Sequence, residues 1–158
     1  SNVSIRIFRT EDNRSAYVDD IVIVGSTSST TSTCDSIFIT NIDILVVDDS
    51  KENSRLFELY LSSAGANVDI ALGGEEAINK SNEKVYDLIL LDLQMPKIDG
   101  YQALKKIREV RPNIKVAALT AHAMDEEKEK TTQAGFNDHI TKPISPVDLV
   151  KTVKKLLK

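Results

Sequence analysis

The chain predicts a doubly wound α/β fold: a five-stranded parallel sheet in the order 2-1-3-4-5, helices on both faces, and a short β-type extension ahead of it. Three observations carry this. From Ile42 onward, strand-like and helix-like segments alternate, the pattern of crossover units. Ile44-Leu-Val-Val47, Leu88-Ile-Leu-Leu91 and Lys115-Val-Ala-Ala-Leu119 are apolar almost throughout, as strands buried on both faces are. Residues 67–72 and 136–141 mix polar with apolar residues and belong at the edges. Right-handed crossovers and this edge placement together select the order.

The first forty residues follow a different pattern. Residues 3–9 and 17–24 each read as a strand, and the polar run 10–15 between them makes a hairpin. An isolated hairpin is marginal in water, so this one would need a sheet edge or another chain to lie on. Tyr17-Val-Asp-Asp-Ile-Val-Ile resembles the closing strand of extracellular β-sandwich domains, but a fragment of that size cannot bury a core. Within it Asp19 and Asp20 point to opposite strand faces and do not converge on one metal. Residues 25–33 are almost entirely Ser and Thr, which is linker composition, and residues 36–40 read as one further short strand. The expected division is an extension over 1–41 and a domain over 42–158.

Within the domain, Ser50 is placed to cap a helix that carries Leu56, Phe57, Leu59, Tyr60 and Ala64 and stops at Gly65. Gly73-Gly74 opens a short helix through Ala77 and Ile78. Residues 99–109 form a third, with Leu104 and Ile107 inward, ended before Pro112. Residues 125–133 form a strongly charged fourth, in which Glu126 and Lys130 have the spacing to pair across one turn and Gly135 closes the helix. Ser145, Pro146 and Asp148 start the last helix, whose buried stripe is Leu149, Val150, Val153, Leu156 and Leu157.

Bulk properties narrow the function. The formal charge is -4, with Lys and Arg dispersed among the acids, so no basic stripe tracks a nucleic-acid backbone. No run approaches the roughly 20 apolar residues of a spanning helix. A single cysteine, Cys34, excludes an internal disulfide framework and fits a reducing cytoplasm.

The chemistry lies at the strand ends. In an open α/β sheet, ligands bind beyond the carboxyl ends of the strands where the order reverses, here between the first and third. Those strands end in Asp48-Asp49 and Asp92. Taken alone, Asp92 could simply close its strand or cap the next helix. Neighbouring strands lie about 4.8 Å apart, however, so three carboxylates meet in one crevice, and their repulsion raises their pKa values unless a cation sits among them. Few hard oxygen ligands, with room left for water and phosphate oxygens, suit Mg2+ better than zinc. The fourth strand brings Thr120 to the same rim and the fifth brings Lys142. A metal, a hydroxyl and an ammonium around a central carboxylate make a phosphoryl-transfer site with Asp92 as nucleophile.

The ordered set Asp48-Asp49, Asp92, Thr120-Ala121 and Lys142-Pro143 resembles the receiver domain of two-component response regulators over its full length, residues 42–158. That resemblance implies a flavodoxin-like fold and the phosphorylation of Asp92 by a histidine kinase or a histidine phosphotransfer domain. It implies Mg2+ bound by Asp49, Asp92 and the Gln94 carbonyl, with Asp48 reaching the metal through water. Lys142 would pair with the phosphoryl group, and Thr120 would move to bond it. Gln94 and His122 occupy positions that tune phosphate lifetime, and Lys142-Pro143 is expected cis. The words Asp92-Leu-Gln-Met-Pro and Leu119-Thr-Ala-His-Ala-Met124 look most like receivers attached to hybrid sensor kinases. A cytoplasmic location follows from the resemblance, as does a domain that catalyses only its own phosphorylation and dephosphorylation. With nothing after the fifth helix, the chain reads as a single-domain regulator or as a receiver excised from a hybrid kinase.

His139 departs from the family, which usually places Tyr or Phe three residues before the lysine. Its smaller polar ring either alters switching or simply occupies a sheet edge. Two other classes compete with the receiver. An Mg-dependent aspartyl-phosphate phosphohydrolase needs the same inventory plus a second acid close to the nucleophile, and Gln94 stands where such enzymes usually carry Asp. A degenerate receiver acting only as a binding module would not need the intact acid and lysine set. Met95-Pro96 and Gly100 read as turn geometry, Tyr60 and Tyr101 as packing or surface residues, and the charged face of residues 125–130 as solvated.

Overall fold

The computed structural model describes residues 38–122 and 124–158. The expected hairpin, the Ser/Thr-rich linker, the Asp19-Asp20 pair and Cys34 lie outside the described residues, as do residues 36 and 37 of the short strand expected over 36–40. Residues 38–40 are not strand. The compact unit begins at Ile39, which is 4% exposed and donates its N–H to the Ala64 carbonyl at 2.8 Å.

The elements alternate in chain order: β1 (Asp43–Val47), α1 (Lys51–Ser63), β2 (Asn67–Ala71), α2 (Gly74–Glu83), β3 (Leu88–Asp92), α3 (Gly100–Val110), β4 (Lys115–Thr120), α4 (Asp125–Ala134), β5 (Asp138–Thr141) and α5 (Pro146–Leu157). The strands pair in parallel as β2-β1-β3-β4-β5, the expected order. Every residue of β3 is buried, whereas β2 and β5 each bury one, which is why the mixed segments sit at the edges.

Strand alternation divides the core in two. Ile44, Val46, Leu88, Leu90 and Leu119 pack on one face with Phe57 and Leu61 of α1 and with Leu149 and Val153 of α5. Leu45, Val47, Ile89, Leu91 and Ala118 pack on the other with Ala77 of α2 and with Ala103, Leu104 and Ile107 of α3. Each fully buried large side chain contributes about 1.5–3 kcal/mol, so this double core dominates the fold's stability.

Local chemistry sets the helix ends. Ser50, Asp99 and Ser145 each accept a hydrogen bond from a first-turn N–H. Gly135 ends α4 at φ 99°, where L side chains are strained. The stripe of α1 differs from expectation: Ser54, Phe57 and Leu61 face inward, while Leu56 is 46% and Leu59 60% exposed. At about 100° per residue, both lie well round the helix from the stripe that Ser54, Phe57 and Leu61 form together. Glu126 and Lys130 form no ion pair among the described residues; both are exposed, where such a pair gains only a few tenths of a kcal/mol. Helix α4 buries one residue, Thr131, and is the helix least anchored by apolar packing.

Candidate active site

Parallel register carries β1, β3 and β4 to one end of the sheet. Val47 lies opposite Leu91, so the next residues, Asp48 and Asp92, leave their strands side by side. Thr120 pairs with Thr141, the last residue of β5, which puts Lys142 just past the end of that strand. The Lys142 N–H donates to the Thr120 carbonyl at 2.7 Å, extending the ladder to the lysine itself.

At this rim Lys142 Nζ lies 2.7 Å from Asp92 Oδ2 and 3.0 Å from Asp48 Oδ2. Asp48 is fully buried, and its Oδ1 accepts the Ser50 N–H at 2.9 Å. Asp92 is 4% exposed, and its Oδ1 accepts the Gln94 N–H at 2.9 Å. Asp49 is exposed, yet an oxygen of each of Asp48, Asp49 and Asp92 lies within 4.8 Å of the others. Burial holds the Asp92 carboxyl above the usual carboxylate range, although Lys142 and the Gln94 N–H pull the other way. For Lys142, burial pulls the ammonium down, but its bonds to Asp92 and Asp48 outweigh that and raise it. The lysine therefore stays charged beside a carboxyl that is costly to ionise.

The backbone around Asp92 is equally specific. A Cβ on Gly100 would stand 2.5 Å from the Asp92 carbonyl oxygen and 2.8 Å from Leu93 Cα, so only glycine allows the loop to close there. The Gly100 N–H donates to the Leu93 carbonyl at 3.1 Å. Met95 is 9% exposed and belongs to the core, and Lys142-Pro143 is cis.

Thr120 is 2% exposed, and its hydroxyl faces α4. Oγ1 accepts the His122 N–H at 3.0 Å and donates toward Glu127 Oε2 at 3.0 Å, with the His122 carbonyl at 3.2 Å as the other acceptor. Glu127 is the residue that sequence reasoning missed. It sits among Asp125, Glu126 and Lys128, whose side chains are exposed, and is itself half-buried. The one signal in the sequence is an acid in the first turn after the strand that ends at Thr120. His122 is exposed and meets Thr120 through its backbone. His139 is half-buried on β5 opposite Ala118, whose side chain belongs to the core layer shared with α2 and α3. Tyr101 stacks edge-on against Phe136 with ring centroids 5.8 Å apart, which is a packing role.

No helix of the described residues is long and apolar enough to cross a membrane.

Known proteins share this fold. Residues 44–154 match the response regulator receiver domain. The chain is 42% identical over 117 residues to the sensor protein GacS of Pseudomonas syringae pv. syringae, covering 71% of this chain and 13% of GacS. It is 43% identical to the transcriptional regulatory protein ResD of Bacillus subtilis, covering 73% of this chain and 48% of ResD. It thus spans less than half of either relative. Among solved structures, the receiver domain of the Pseudomonas aeruginosa sensor histidine kinase PA1611, with magnesium coordinated in its active-site cleft, superposes with a TM-score of 0.68. Its identity is 33%, over 73% of this chain and 97% of that one. The Vibrio cholerae chemotaxis protein CheY4 gives 0.70 at 28% identity, over 73% and 98%. In fold and in sequence alike, the chain belongs to the response regulator receiver family, whose work is phosphorelay signal transduction.

Proposed function

We propose that Asp92 is the phosphoacceptor of this receiver and that it takes its phosphoryl group from a phosphohistidine of a histidine kinase or a histidine phosphotransfer domain. The observation that carries the reading is the position of Lys142, 2.7 Å from Asp92 and 3.0 Å from Asp48, at the mouth of an acidic crevice. An oxygen of Asp92 attacks phosphorus, the O–P bond forms, and the P–N bond breaks with its electron pair returning to the imidazole. Lys142 stabilises the equatorial oxygens as charge spreads over them.

The donor set fits Mg2+: hard carboxylate oxygens close together, one of them on the exposed Asp49. Asp49, Asp92 and the Gln94 carbonyl would hold the ion, with Asp48 reaching it through water. When bound, it supplies charge neutralisation at the phosphoryl oxygens. Asp48, already engaged by Lys142 and the Ser50 N–H, positions that lysine. Thr120 then serves as the switch hydroxyl, His139 as the residue at the switch-aromatic position, and Gln94 and His122 as neighbours that set phosphate lifetime. The Gln94 side chain is exposed beside Asp92 and cannot act as the second acid a phosphohydrolase requires.

The likeness to GacS, a sensor protein, favours a receiver that acts within or beside a hybrid kinase at the cytoplasmic side of a signalling pathway. Incubation with acetyl phosphate and Mg2+ followed by intact-mass measurement tests the assignment. One phosphoryl adduct, absent in Asp92→Asn, supports it. Rapid multiple turnover of phosphoesters would show a hydrolase, and the lack of any adduct a binding module.

A further inference from the structure

We infer that Glu127 is a positioning residue that holds the Thr120 hydroxyl away from Asp92 and so sets how readily the phosphorylated state forms. The inference rests on the reading of Asp92 as phosphoacceptor and Thr120 as its switch. Thr120 has one hydroxyl proton to give. In the structure it faces two acceptors, the Glu127 carboxylate at 3.0 Å and the His122 carbonyl at 3.2 Å. The anionic acceptor is nearer, and hydrogen bonds to a charged oxygen are the stronger kind. Thr120 is almost fully buried, so water does not compete for the proton. A proton given to Glu127 is unavailable to a phosphoryl oxygen on Asp92.

Helix α4 makes this contact consequential. It buries only Thr131, and at its far end the Arg108 guanidinium of α3 donates to the carbonyl of its capping Gly135 at 2.7 Å. At its first turn, the Glu127 carboxylate ties the helix to the end of β4. When Thr120 turns to the phosphoryl group, one anionic acceptor replaces another and this tie is released. The two bonds are of the same chemical type, so the exchange is nearly balanced and small changes at Glu127 shift it. Thr120 thereby reads the phosphoryl group and α4 reports it through the same proton.

The test uses beryllofluoride with Mg2+, a phosphoryl mimic, on the full chain as wild type, Glu127→Gln, Glu127→Ala, Thr120→Val and the Glu127→Ala/Thr120→Val double variant. Glu127→Ala is expected to tighten beryllofluoride binding by about 5-fold or more, the lower end of ordinary coupling between sites. Glu127→Gln, which keeps a neutral acceptor, falls between it and wild type. In the Thr120→Val background, Glu127→Ala changes nothing, because the hydroxyl through which it acts is gone. A Glu127→Ala protein that binds as wild type or more weakly overturns the inference, as does a gain that persists without the hydroxyl. If wild type itself binds no beryllofluoride, the phosphoacceptor reading fails and takes the inference with it.

Discussion

Asp92 and Lys142, separated by 50 residues in the chain, form an ion pair of 2.7 Å whose side chains are 6% and 19% exposed. Lys142 also holds the fully buried Asp48, so one ammonium balances two carboxylates in a region that excludes most water. The family's chemistry is thereby coupled to the stability of the fold.

Substitution of the two partners should have opposite effects on stability in Mg-free buffer. Lys142→Met leaves two buried carboxylates without a cation and is expected to cost about 3 kcal/mol at pH 7. For Asp92, the folded pKa is raised above the unfolded value of 3.8, so stability falls as pH rises from 3.8 through the folded pKa. Asp92→Asn removes that cost. Its urea midpoint should exceed the wild-type value at pH 7 and match it below pH 3.8. Equal or lower stability at pH 7 would contradict the burial argument.

A divalent cation should stabilise the domain by mass action. With Mg2+ at a hundred times its dissociation constant, the gain is about 2.7 kcal/mol, read as a rise in melting temperature. Asp49 contributes the exposed carboxylate of the cluster, so Asp49→Asn should abolish most of the rise while leaving the metal-free melting temperature close to that of wild type.

Gly100→Ala tests the close approach behind Asp92. Its Cβ would meet backbone atoms at 2.5 Å and 2.8 Å, and backbone cannot yield as a side-chain tip can. We expect a loss of about 3 kcal/mol from overpacking. Phosphorylation by acetyl phosphate should slow as well, because the displaced atoms belong to Asp92 and Leu93.

Arg108 staples three segments of the opposite rim. Its guanidinium donates to the Pro112 and Gly135 carbonyls at 2.7 Å and to Asn137 Oδ1 at 3.1 Å, and Asn137 Oδ1 also accepts the Val116 N–H at 2.9 Å. Arg108→Ala should cost about 2 kcal/mol, as removal of a charged donor from several acceptors does. Hydrogen exchange at the Gly135 and Phe136 amides, which close α4, should accelerate while the β3 amides stay protected.

The sequence alone determined the sheet order, because apolar continuity marks central strands and mixed composition marks edges. That order, with right-handed crossovers, obliges Asp48, Asp92, Thr120 and Lys142 to share one rim. Apolar periodicity is a weaker guide on a helix surface, so Leu56 and Leu59 looked like core and proved exposed. Tertiary structure decided which of two adjacent acids turns inward: Asp48 is buried against Lys142 and Asp49 faces water, a matter of strand pleat and of the Ser50 N–H. It also decided what α4's charges do. The Glu126–Lys130 spacing promises a pair worth only tenths of a kcal/mol in water, and it does not form. Glu127 turns from solvent to a buried hydroxyl because the path from β4 into α4 brings its carboxylate within 3.0 Å of Thr120. Spacing fixes what neighbours on one helix can reach, whereas contacts between elements depend on where the whole sheet places their ends.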